Sequence, residues 1–166
     1  LAKVSSTPPR KMSFQHLIPS KTAFCIDMST VTQDSLIVYE DFTKTLGGEF
    51  AVAVLEGETI SESDKIYYLR SNDIDKSIDE LVKEATKIQE KLGDTLFFED
   101  FSEKRIYELN DPDFISRYSD YTFGSSDYYY FVDVNQYIVI STSVESIKNY
   151  LIDLENENTW GKSVKR

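Results

Sequence analysis

Cysteine and histidine are each present once in the 166 residues, as Cys25 and His16. A single cysteine excludes an internal disulfide, and the pair together excludes a His/Cys zinc cage. Basic residues are also scarce: 18 Lys and Arg face 29 Asp and Glu, for a net charge of -11. Phosphate backbones and anionic membrane surfaces are recognised by clustered Lys and Arg, so nucleic acid and anionic lipid are excluded as expected partners. No apolar run approaches the ~20 residues of a membrane-spanning helix. Glycine-rich phosphate loops are missing too. Gly47-Gly48 precedes a strand pattern instead of opening a helix, the reverse of the order such loops need.

What is present is a sequence able to fold. Hydrophobic residues make up 40% and aromatics 13%, too much for a disordered chain. The aromatics are mostly Tyr and Phe, which favour strands. Boundaries read as a linker over 1–13, with Pro8 and Pro9 stiffening it, one domain over 14–160, and a polar tail over 161–166. The chain reads as a segment of a larger protein whose targeting signals lie outside it.

Alternation predicts strands at Thr22 to Met28, Glu49 to Leu55, Lys65 to Arg70, Thr95 to Phe101, Arg105 to Leu109, Tyr128 to Val134 and Tyr137 to Ser141. Helical spacing joins Leu36, Tyr39, Phe42 and Leu46, with Gly47-Gly48 as the stop. Ile74, Ile78, Leu81, Val82, Ala85, Ile88 and Leu92 form the clearest helical stripe, capped by Asn72 or Asp73 and ended by Gly93. Val144, Ile147, Leu151 and Leu154 form the last, after a Thr142-Ser143-Val144-Glu145 capping box. Phe114 to Tyr121 carries only a weak helical pattern. The fold class expected is α+β: a mainly antiparallel twisted sheet with three helices on one face. The order Gly, strand, strand, cap, helix occurs from Gly47 and again from Gly124. It suggests two pseudo-repeated hairpin-helix units.

The phrases LIPSKTAF, FTKTLGGEFAVAVLE and YYYFVDVNQYIVISTSVESIKNYLIDLENENTW occur in that order. Together they resemble the bacterial envelope-protein family known as Domain of Unknown Function 3352, in its lipoprotein-like members. The likeness covers roughly residues 14–160 and is least at Phe97 to Arg105. It implies a periplasmic or surface-exposed setting in the cell envelope, with the membrane reached only through an anchor outside this chain. It brings no catalytic residues, cofactor or ligand.

Candidate chemistry is sparse. A Cys25–His16 nucleophilic pair is formally available, but Cys25 stands between Phe24 and Ile26, where a small buried hydrophobe is expected. Glu99, Asp100 and Glu103, then Asp111 and Asp113, cluster in turn-like segments. Paired acids suit a glycosidase or a calcium site, while turn chemistry gives exposed, metal-free carboxylates. Tyr128 and Tyr130 share one face of their strand and are the candidate ligand-binding residues, for a protein or glycan of the envelope. Strand propensity accounts for the same run. No catalytic residue, metal ligand or cofactor is assigned. The expected role is a non-catalytic binding or scaffolding module. The alternatives are an envelope enzyme using paired carboxylates, of glycan-hydrolase type, and a plain spacer domain.

Overall fold

The computed structural model describes residues 15–29, 39–56, 65–119 and 126–159. The expected linker, the polar tail, Trp160, Leu36 and Gly124 lie outside them. A short 3-10 turn, Gln15–Leu17, leads into β1 (Thr22–Ser29). There follow α1 (Glu40–Thr43), β2 (Leu46–Leu55), β3 (Lys65–Ser71), α2 (Ile74–Lys91), β4 (Phe98–Phe101) and β5 (Lys104–Leu109). The chain then forms α3 (Phe114–Tyr118), β6 (Tyr129–Val134), β7 (Tyr137–Ser141) and α4 (Val144–Glu155).

All seven strands join one sheet in the order β1-β2-β3-β7-β6-β5-β4, and every neighbouring pair is antiparallel. The α+β class follows. The seam is the pairing of β3 with β7, which sets Tyr67 opposite Ile140 and Leu69 opposite Ile138. Near the chain ends of the described domain, Pro19 bridges Thr159, and Ser20 donates its N–H to Asn158 O at 2.8 Å.

The helices occupy both faces, not one. Phe50, Val52, Tyr67, Leu69, Phe131, Ile138 and Ile140 meet α1, α2 and α3 through Phe42, Leu81, Ala85, Phe114 and Tyr118. The alternate residues, Ala51, Ala53, Tyr68, Val132 and Val139, meet α4 through Ile147, Tyr150 and Leu151, together with Leu17 and Ile18. Every residue from Phe50 to Leu55 is therefore buried, as is every residue of β7. Strands covered on both sides read as continuous apolar runs, which EFAVAVL and YIVIS are.

That arrangement overturns the pseudo-repeat. A two-fold axis normal to the sheet exchanges β2-β3 with β6-β7, because β3 and β7 are antiparallel neighbours. Such an axis keeps both helices on one face. With α2 and α4 on opposite faces, the two hairpin-helix units have opposite hands and do not superpose.

Local corrections have simple causes. Leu46 begins β2 instead of ending a helix, and Gly47-Gly48 lie within that strand. Gly48 has φ +84°, and the β2–β3 register shifts between Leu46 and Phe50, so the glycines build a β-bulge. Of the expected Leu36–Leu46 helix, the described part is the single turn α1. Asp73 caps α2 by accepting from Lys76 N, and Ser143, not Thr142, caps α4 by accepting from Ser146 N. Leu92 falls past the end of α2 and is 63% exposed, so it leaves the apolar stripe. Cys25 is half-buried on the edge strand β1 instead of enclosed. The expected strand from Thr95 shortens to β4, and Phe114 to Tyr118 resolves as α3.

Candidate binding surface at the open end of the sheet

Among the described residues β4 ends the sheet, with β5 on one side and no strand on the other. The segment between α2 and β4 turns sharply at Gly93, whose φ is +74°. Gln89 pins that segment from inside. Its backbone carbonyl accepts from Asp94 N at 2.9 Å, and its side chain donates to Thr95 O and accepts from Asn110 Nδ2, both at 3.4 Å. Beyond the turn, the chain passes through Leu96 and Phe97 into the strand, and Phe97 O accepts from Glu108 N at 3.1 Å.

These elements enclose a cleft of about 440 Å³ lined by Gln89, Asp94, Thr95, Leu96, Phe97, Phe98 and Glu108. Phe97 and Phe98 are 43% and 46% exposed, although large aromatics are usually sequestered. Consecutive strand residues point to opposite faces, and this is why neither ring can share a core with the other. Phe97 meets Tyr130 edge-on at 6.5 Å between centroids. Tyr130 is half-buried and donates its hydroxyl to Glu108 Oε2 at 3.4 Å. Burial holds the Glu108 carboxyl above the usual glutamate range, the Tyr130 hydrogen bond opposes that, and nearby Asp94 reinforces it. Tyr128 is 46% exposed. Tyr130 therefore lies beside this cleft and Tyr128 is exposed just before β6, while Tyr129 and Phe131 turn inward to the α2 side.

The acids singled out in the sequence are dispersed. Glu99 pairs with Lys148 of α4. Asp100 accepts from Arg105 Nε and a second guanidinium nitrogen at 2.7 and 3.1 Å, which holds its carboxyl below the ordinary aspartate range. Glu103 sits at φ +62° in the exposed β4–β5 turn, and Asp113 is exposed. Asp111 contradicts the expectation of an exposed turn carboxylate. It is only 8% exposed, and it accepts hydrogen bonds from the Tyr39 hydroxyl and the Arg117 guanidinium. It thereby ties α1 to α3. His16 is exposed and shares a 3.3 Å hydrogen bond with Asn135 in the β6–β7 turn. Among the described residues, no group of three His, Cys, Asp or Glu side chains could hold a metal ion.

No protein-family model, curated protein or solved structure matches this chain. Reading the sequence alone misses Asp94, Phe97 and Glu108. The available signals were Gly93-Asp94 after the longest helix and two adjacent phenylalanines, one of which must face away from its partner.

Proposed function

We propose that this domain is a non-catalytic binding or scaffolding module, and that it receives its partner at the open end of the sheet. The observation carrying the reading is the set of exposed aromatics at this end of the sheet, Phe97 at the cleft, Phe98 on the opposite face and Tyr128 just before β6, beside a strand edge that no described strand covers. Exposed aromatics at a concave site are the usual material of recognition surfaces, since a large rigid ring gains contact area at little entropic cost. Tyr130 supports the surface from beneath through Phe97 and Glu108.

The carboxylate-enzyme reading has less behind it. Hydrolysis of a glycan needs two acids converging across one bond. Glu99 and Asp100 are consecutive strand residues with separate cation partners, and Asp111 is enclosed in its own ion pair. An envelope setting, with a protein or glycan as partner, follows from the family resemblance alone.

The test is amide-resolved NMR with peptidoglycan fragments and unstructured peptides, run beside a turnover screen on the same compounds. The expected result is shifts confined to the segments around Phe97, Tyr128 and Tyr130, with no product formed. Turnover abolished by Glu99→Gln or Asp113→Asn would establish the enzyme instead.

A further inference from the structure

Three acids at this end of the sheet have a cation. Glu99 has Lys148, Asp100 has Arg105, and Asp133 has Lys104 at 3.4 Å. Asp94 and Glu108 are different. Both line the cleft, and neither has a cationic partner among the described residues. Asp94 Oδ1 accepts only from Thr95 N at 2.8 Å, and Glu108 Oε2 accepts from Tyr130 at 3.4 Å. No Lys or Arg lines the cleft.

The geometry points to a cleft that accepts the lysine or arginine side chain of an extended basic peptide, whose backbone pairs with the free edge of β4. This rests on the binding-module reading and names its ligand. Three features converge on it. Two carboxylates without a cation among the described residues, exposed Asp94 and half-buried Glu108, favour a cation, because a charge-assisted hydrogen bond to either is stronger than a neutral one. Phe97 lines the same cleft and is 43% exposed, and ring faces attract cations. Phe98, on the opposite face, shows the same attraction within the chain, since the Arg105 guanidinium lies 4.1 Å from its centroid. The edge of β4, which no described strand covers, offers backbone groups to an added strand. Charge then chooses among strands. A second copy of this chain would bring another net charge of -11 to the edge, whereas a basic peptide would relieve that charge.

The probe is an acetylated, amidated hexapeptide alternating valine and lysine, compared with its valine–glutamate counterpart by calorimetric titration at low and at physiological salt. The lysine peptide is expected to bind and the glutamate peptide not. Asp94→Asn with Glu108→Gln should weaken binding by about tenfold or more, the loss of at least one charged hydrogen bond. Asp79→Asn, an exposed change on α2 outside the cleft, should alter binding less than about twofold. Amide exchange should slow across Phe98 to Phe101. Equal binding by the cleft variant and the wild type would overturn the inference. So would equal weakening by Asp79→Asn, the signature of unspecific attraction to an acidic protein. The comparison of two peptides on unaltered protein holds even if a variant folds poorly. If glycan fragments shift Tyr128 and Tyr130 while the lysine peptide does nothing, the ligand assignment fails and the binding-module reading stands. If no compound of either class shifts that end of the sheet, both fail.

Discussion

Replacing Asp111 by alanine should destabilise the domain by about 3 kcal/mol. The carboxylate accepts from the Tyr39 hydroxyl and from Arg117, and one of its oxygens also accepts from Asp113 N at 3.2 Å. Removal leaves a buried phenol without that acceptor and a guanidinium without its counter-charge. Breaking a fully buried pair costs about 3–5 kcal/mol. Arg117 retains 20% side-chain exposure and can reach water, so the lower end of that range applies. At roughly 2–4 °C per kcal/mol for a domain of this size, the melting temperature should fall by about 6–12 °C. A double-mutant cycle separates the pair from mere loss of volume. Tyr39→Phe alone should cost about 1–2 kcal/mol, since it removes a hydrogen bond to a charged acceptor. In the Asp111→Ala background it should cost only a few tenths, giving a coupling of about 1 kcal/mol. Urea titration followed by far-ultraviolet circular dichroism measures all four proteins. Additive losses, or an Asp111→Ala protein as stable as the parent, would refute the reasoning.

The β2 bulge makes a second claim. Gly48→Ala forces a side chain into φ +84° and should cost about 1–2 kcal/mol by the same urea assay. A change below about 0.3 kcal/mol would mean that the bulge relaxes freely. Alkaline titration tests the core. Burial raises the hydroxyl pKa of Tyr39, Tyr67, Tyr68, Tyr118 and Tyr150 well above the usual value, and pushes Tyr129 up to about 12. The unfolded chain releases these protons near pH ~10 while the folded one keeps them, so their contribution to stability is complete below that pH and is lost above it. Tyrosinate absorbance should therefore rise in one cooperative step together with loss of circular dichroism. Smooth independent titration with the fold intact would contradict it.

The strands and the two long helices are legible in the sequence because their periodicities are strong. Leu81 and Ala85 carry the α2 stripe into the core, and Ile147 and Leu151 carry that of α4. The face each helix takes is not legible. A hairpin followed by a helix can turn to either side, and the choice is made by short links, here Asn72-Asp73 and Thr142-Ser143. The unbroken apolar runs of β2 and β7 did carry the warning that both faces are covered. Alternation of Phe with Ala in β2 disguises it, since alanine reads as a weak face while Ala51 and Ala53 are fully buried. At the candidate surface, Tyr128 is exposed and Tyr130 is half-buried against the core. Asp111 was misread because Asn-Asp-Pro is genuine turn chemistry, and only tertiary packing brings Tyr39 and Arg117 to it. The cleft was invisible for a related reason: Asp94 and Glu108 are far apart in the chain, and β-pairing brings them together.

The β3–β7 seam has a consequence for how the protein is made. As the chain leaves the ribosome, β1, β2 and β3 can pair and receive α2, yet Tyr67 and Leu69 must wait for Ile140 and Ile138. Until then, the inner edge of the first half is an outer one, apolar on both sides and open to any strand nearby. Pairing across such a separation in sequence is slow to find. β3, which the finished sheet covers with its central strand β7, is thus the most vulnerable part of the nascent one.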